Sequence, residues 1–182
     1  MDVLQAIKSR RSVRRLRSDP IEEEVITTVL EAGRWAPSWA NTQCWEFGVV
    51  RDAETKEKLA DTAGPGNPGG EAIRNGPLTI VVCGEKGKAG CEGGKPITDK
   101  GDWYMFDTGL AMQNMMLAAH ALGLGSVAIG LFDAQKAGEI LGVPQNVDVV
   151  AMLPVGYPAE EAKAPRRKEL SECVFYDKYE NK

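Results

Sequence analysis

The stretch that most limits how this 182-residue chain can fold is KSRRSVRRLR, residues 8–17, which holds six cations and no acid. Guanidinium and ammonium groups are almost never buried without partners, so no fold can take this segment into an apolar core. The rest of the chain makes the run more conspicuous. Without it, the other 172 residues hold 16 basic and 26 acidic side chains. Like charges this close repel, and ordering them is favourable when an anion neutralises them. Arginine forks match phosphate oxygens, and Ser12 inside the run adds a neutral donor. The segment reads as a phosphate seat, the alternative being a solvated basic turn.

With 43% hydrophobic and 26% charged residues, the chain has enough apolar material for the core of one domain. It shows no apolar run near membrane-spanning length and no signal-peptide pattern after Met1, so a cytoplasmic protein with no membrane contact is expected. Cys44, Cys83, Cys91 and Cys173 form no CxxC pair, and His120 is the single histidine; reduced thiols and no metal site are expected. An acidic remainder, no aromatics within the basic run and no recognition-helix pattern argue against nucleic acid.

Along the chain, Asp2 caps a short helix carrying Val3, Leu4 and Ile7. Asp19-Pro20 followed by three glutamates starts a second helix, with Ile21, Val25, Ile26, Val29 and Leu30 as its buried stripe. Residues 36–45 (APSWANTQCW) read as a loop, 46–50 as a strand, 53–62 as a surface helix, 64–70 (GPGNPGG) as a loop and 78–82 as a buried strand. The glycine- and lysine-rich stretch 84–101 is expected to be a mobile excursion. Asp102 opens the longest helix, which runs to about Leu122; a strand over 126–131, a helix from Asp133 to about Leu141 and a strand over 147–155 follow. The polar tail, 159–182, has no sizeable core face. Irregular alternation of helices and strands implies α+β or mixed α/β.

Two glycine clusters, 64–69 and 123–128, formally match the dinucleotide fingerprint. Neither follows a strand and opens a helix, as pyrophosphate binding requires, so both are set aside. The second still matters, because a glycine-rich approach to a strand lets a flat ligand reach the backbone.

RRSVRRL at 10–16, APSWANTQCWEF at 36–47, GLGSVAIG at 123–130, the GYP turn at 156–158 and the Arg166-Arg167 pair, in this order, resemble the nitroreductase family of FMN-dependent oxidoreductases. Leu16 stands where the family's first motif has an aromatic residue, and Cys44 where the second has proline. The resemblance spans Val3 to about Val174 and implies a single FMN-binding domain over 1–182. The implied fold is α+β: a central mixed or antiparallel sheet flanked by helices, in an intertwined homodimer with an extended C-terminal arm over 159–182. Arg10 and Ser12 would meet the FMN phosphate, with Arg11 nearby and Arg166 and Arg167 closing from another side. Arg14 would reach toward the ribityl chain or the pyrimidine edge. Pro37, Ser38, Trp39 and Asn41 would contact the flavin bound mainly by the partner. Ala128, Ile129, Gly130 and Leu131 would lie along the isoalloxazine.

The implied activity is electron transfer from NADH or NADPH through flavin N5 to an electron-poor small molecule, a nitroaromatic or quinone, in ping-pong order. A specialised relative (a dehalogenase or flavin-processing enzyme) and a non-catalytic flavin-binding module are the alternatives. No side-chain constellation for acid–base or nucleophilic catalysis is present, and flavin chemistry needs none. Arg15 and Arg17 read as solvated charges, Trp45 as core, Cys44 as a small filler and His120 as a packed or surface histidine. Met105, Met112, Met115 and Met116 read as core or dimer packing. The 84–101 stretch is a candidate lid over the substrate face.

Overall fold

The structure, a computed structural model, describes residues 1–179. Its centre is strand β2 (Leu78–Glu85), whose residues alternate between two cores. Leu78, Ile80 and Val82 point to one side, Val81 and Cys83 to the other. That period of two on a strand buried on both faces explains why its sequence is apolar without interruption. β2 pairs antiparallel with β1 (Trp45–Val50) on one side and β6 (Val147–Gly156) on the other, and β6 pairs antiparallel with β5 (Gly125–Ser126). The sheet order is β1-β2-β6-β5.

Helix α2 (Glu23–Arg34) packs on the long helix α5 (Tyr104–Ala121) over one face of the sheet. They approach closely at Gly33, where a Cβ would stand 2.8 Å from the Met115 side chain. α3 (Ala53–Thr62), α4 (Pro68–Asn75) and α6 (Ala134–Leu141) cover the other face. Short α1 (Val3–Ser9), capped by Asp2, leads into the basic segment. Among the described residues no helix is long and apolar enough to cross a membrane.

Several elements differ from the sequence reading. α2 starts at Glu23, because Ile21 turns into the core ahead of it. α4 begins inside the stretch expected to be a loop: Asn67 caps it, Pro68 takes the first turn, and the two glycines are held by packing. A Cβ on Gly69 would stand 2.9 Å from Ile129, so tertiary contact overrides the poor helix propensity of the pair. The strand expected over 126–131 shrinks to Gly125–Ser126 plus one bridge, Ile129 to Met152. The register is continuous, but it places Pro154 opposite Val127, and proline has no N–H to donate to the ladder.

The stretch expected to be an excursion continues β2 to Glu85 and then forms a hairpin, β3 (Cys91–Glu92) with β4 (Lys95–Pro96). It is fastened to the start of α5. Trp103 N–H donates to the Ala89 carbonyl (2.9 Å), its indole N–H donates to Thr98 Oγ1 (2.9 Å), and Asp102 accepts from Gly87 N–H (2.6 Å). Gly90, at φ +68°, lies so close to the Trp103 ring that a Cβ would stand 2.5 Å from it.

The basic segment runs along the open edge of the sheet, with bridges from Ser12 to Ser126 and from Leu16 to Pro158. Val13 and Leu16 point inward, which fixes which cations point out. Gly125 makes this possible, since a Cβ there would stand 2.8 Å from Val13 Cβ. Gly125→Ala is therefore expected to lower stability by about 1–3 kcal/mol through overpacking, read as a fall in Tm. An unchanged Tm would mean that the edge segment yields freely.

Candidate active site

Within the basic segment the six cations divide. Arg15 pairs with Glu160 at 3.4 Å, and Arg17 pairs with Asp19 at 3.4 Å while stacking over Tyr157. Both are surface charges, as the sequence reading held. Arg14 is exposed. Arg11 curls back, donating to the carbonyls of Lys8 (2.7 Å) and Arg10 (2.8 Å), and so closes the end of α1.

Arg10 is different. It is half-buried, and its Nη1 is inaccessible to solvent with no hydrogen-bond acceptor among the described residues. Burial, and then the charges of Arg167 and Arg11, hold its pKa below the ordinary arginine value. A desolvated donor facing two like charges is costly in the isolated chain and favourable once an anion enters. Arg167, from the C-terminal segment, is thus within electrostatic reach of Arg10. Ser12 lies beside it, half-buried, on the bridge to Ser126. The donors fit a phosphate.

From that bridge the chain continues Val127 to Leu131 along the sheet edge. Ile129 spends its N–H and C=O on Met152, at 2.9 and 3.0 Å. Ala128 and Gly130 face outward, exposed, and neither amide meets an acceptor among the described residues. Leu131 is 79% exposed, and its carbonyl accepts from Asn67 Nδ2 at 3.0 Å. Ser126 to Gly130 gives a track roughly 13 Å long with small outward side chains, which suits a flat molecule tethered to a phosphate. At its far end, Gly130 borders a cavity of 760 Å³ shared with Tyr104, Lys86 and Asp148. Tyr104 donates to Asp148 (2.7 Å), and burial together with this carboxylate pushes the phenol up to about 12.

The 36–45 loop is built differently. Ala40, Asn41 and Gln43 take φ of 43°, 59° and 47°, a left-handed conformation that costs residues with a Cβ about 1–3 kcal/mol each. Asp107, 1% exposed on α5, holds the loop in place. Its Oδ2 accepts from Trp39 N–H at 2.9 Å and lies 3.7 Å from the Cys44 thiol. Burial and then Asp107 push that thiol up to about 12. Trp39 packs tilted against Trp103 (centroids 5.1 Å apart, planes at 48°) and Trp103 meets Phe106 edge-to-face (5.2 Å, 68°), while Pro37 and Asn41 are exposed.

Comparison with known proteins decides the family. The nitroreductase family model matches residues 7–71 and 65–157. The chain belongs to the nitroreductase family. A relative from Methanothermobacter thermautotrophicus is 34% identical over 88% of this chain and 79% of its own. An FMN reductase [NAD(P)H] of Bacillus subtilis is 30% identical, covering 91% of this chain and 70% of its own. The crystal structure of a nitroreductase family protein from Clostridium difficile superposes with a TM-score of 0.84 at 30% identity, covering 98% and 99% of the two chains. The α+β nitroreductase fold expected from the motifs is the fold observed.

In this family member the Arg10–Ser12 segment and the 36–45 loop sit at opposite ends of α5, and the 126–130 track runs from the first toward a cavity that Gly130 shares with Tyr104 and Met105 at the helix start. Asp107 and the 36–45 loop lie near the start of α5, whereas the Arg10–Ser12 seat lies near its end, by His120. Thirteen residues of helix separate Asp107 from His120, roughly 20 Å at 1.5 Å per residue. Asp107, Trp103 and His120 were not singled out as functional in the sequence. Asp107 had a readable signal: with Ala111, Met115 and Ala119 it forms the buried i, i+4 stripe of α5, where an acid needs a reason.

Proposed function

We infer that this chain is an FMN-dependent NAD(P)H oxidoreductase that passes electrons to a small electron-poor acceptor and works as a homodimer. The observation that carries the reading is the buried, acceptorless tip of Arg10 facing Arg167 beside Ser12. The name of the Bacillus subtilis relative supports FMN and NAD(P)H. When bound, FMN supplies the hydride-carrying ring that no side chain provides.

The chain's own residues do the rest. Arg10, Ser12 and Arg167 hold the phosphate, with Arg11 and Arg166 adding positive field. Arg14 lies on the same segment toward the ribityl or pyrimidine side, where a cation favours negative charge on the ring system. Ala128 to Leu131 offer outward amides and small side chains to the ring. The loop with Pro37, Ser38, Trp39 and Asn41 lies at the other end of α5 from the phosphate seat, and in the proposed dimer it contacts the flavin bound mainly by the partner. Apolar side chains exposed on the single chain supply a surface for that pairing: Val3, Leu4 and Ile7 on α1, Met105 and Phe106 on α5. Donor and acceptor then use one cleft in turn, bounded by Trp39, Trp103 and Phe106, and the acceptor is a nitroaromatic or a quinone.

The test is direct. The purified chain is expected to be yellow, to release FMN on denaturation, to sediment as a dimer and to oxidise NADH or NADPH when a quinone or nitroaromatic is added. Colourless protein that takes up no added FMN overturns the reading. Flavin-loaded protein that oxidises neither donor leaves a binding module and removes the enzyme.

A further inference from the structure

His120 ends α5 beside the anion seat. Its Nε2 lies 2.7 Å from Ser9 Oγ, and the same hydroxyl lies 2.7 Å from the Gln5 carbonyl. A hydroxyl has one proton, so both short contacts are satisfied when Ser9 donates to Gln5 and His120 Nε2–H donates to Ser9. That assignment puts the titrating lone pair on Nδ1, so the ring can gain a proton without breaking its bond to Ser9. His120, Ser9 and Arg11 border one cavity of 1040 Å³, closed on the other side by the arm from Pro158 to Ala164.

We propose that His120 is a further member of the phosphate seat, taking up a proton at Nδ1 when a phosphate dianion binds between Arg10 and Arg167. Between the anion-free and anion-bound midpoints, the ring is a cation of the seat only when the anion is there. The charged groups around it are Arg10 and Arg11 from the segment after α1, and Glu160, Glu161 and Lys163 from the arm, with Met1 on the near rim. Burial first, then Arg10 and Arg11, hold the ring below the ordinary histidine value. A bound dianion offsets those two arginines, so the ring titrates at higher pH with the anion than without it. Between the two midpoints, binding draws up to one proton; below the lower or above the higher, it draws none from the ring. The inference takes the identity of the physiological anion from the flavin reading, but the seat itself is defined by the protein's own cations.

His120 is the single histidine of the chain, so its ring proton resonance in an untagged protein reports the site without assignment. The full chain is titrated by NMR free of flavin, with FMN, with riboflavin and with inorganic phosphate. The expected result is a midpoint at least one pH unit higher with FMN than without it, while riboflavin, which lacks the phosphate, leaves it unmoved. Retained FMN with an unmoved midpoint overturns the proposal, as does an equal shift with riboflavin. If FMN is not taken up at all, the flavin reading falls by itself. The phosphate titration then decides this one: an upward shift supports the anion-coupled ring, and no shift ends it.

Discussion

Replacing Arg10 with glutamine is expected to give a colourless protein whose affinity for FMN is at least 100-fold weaker. A charge-assisted hydrogen bond is worth roughly 1.5–3 kcal/mol, and an arginine fork on a phosphate makes two. The flavin-free chain should respond the other way. Its Arg10 carries a desolvated donor with no acceptor and faces Arg167 and Arg11. Removing the charge relieves both, so Tm of flavin-free Arg10→Gln is expected to match or exceed that of the flavin-free parent. With FMN present the order reverses, because only the parent gains stability from ligand binding by mass action. An Arg10 that merely braces the fold predicts a lower Tm in both states, and that result would contradict the seat.

Much of this was legible from residues alone. The basic run carried the expectation of an anion seat, whereas the inward turn of Val13 and Leu16 that sorts its cations became visible only in the fold. Central strand β2, long α5 and the caps at Asp2 and Asp133 follow local rules, and the structure shows both cap bonds. What escaped depends on contacts between segments far apart in the chain. α4 was hidden because the two glycines at its start have poor helix propensity and fit there through close neighbours from other segments, Ile129 and the carbonyl of Ala60 among them. The end of the 126–131 strand was hidden because Pro154, on another strand, withholds one hydrogen bond. The site divided in the same way. Its charged half could be read from residues 10–17, whereas the holding half, Asp107 reaching across 68 positions to Trp39, could not. Asp107 with its loop and Ser9 with the basic segment meet α5 near opposite ends, and that separation is what the proposed dimer would resolve.

The second large effect is expected at Asp107. Asp107→Ala removes the acceptor of the part-buried Trp39 N–H, and leaving that donor unmet costs about 1 kcal/mol. It also releases three left-handed residues, Ala40, Asn41 and Gln43, which the surroundings alone hold in place. The loop should relax, and turnover at saturating FMN should fall by at least tenfold. Cys44 gives an independent readout. Its thiol is pushed up to about 12, first by burial and second by Asp107, which favours the unreactive thiol over the thiolate at neutral pH. Without the carboxylate, and with a looser loop, the thiol ionises at lower pH and reacts faster with a disulfide reagent. Asp107→Asn separates the two roles. Its amide oxygen can still accept from Trp39 N–H, so the loop and most of the turnover are retained, while the missing charge alone makes Cys44 more acidic. If Asp107→Ala left both turnover and thiol labelling unchanged, the loop would have to be held by the Trp39–Trp103 stack alone. The anchor of the active-site loop would then be the hairpin that fastens Trp103, rather than the acid on the buried stripe of α5.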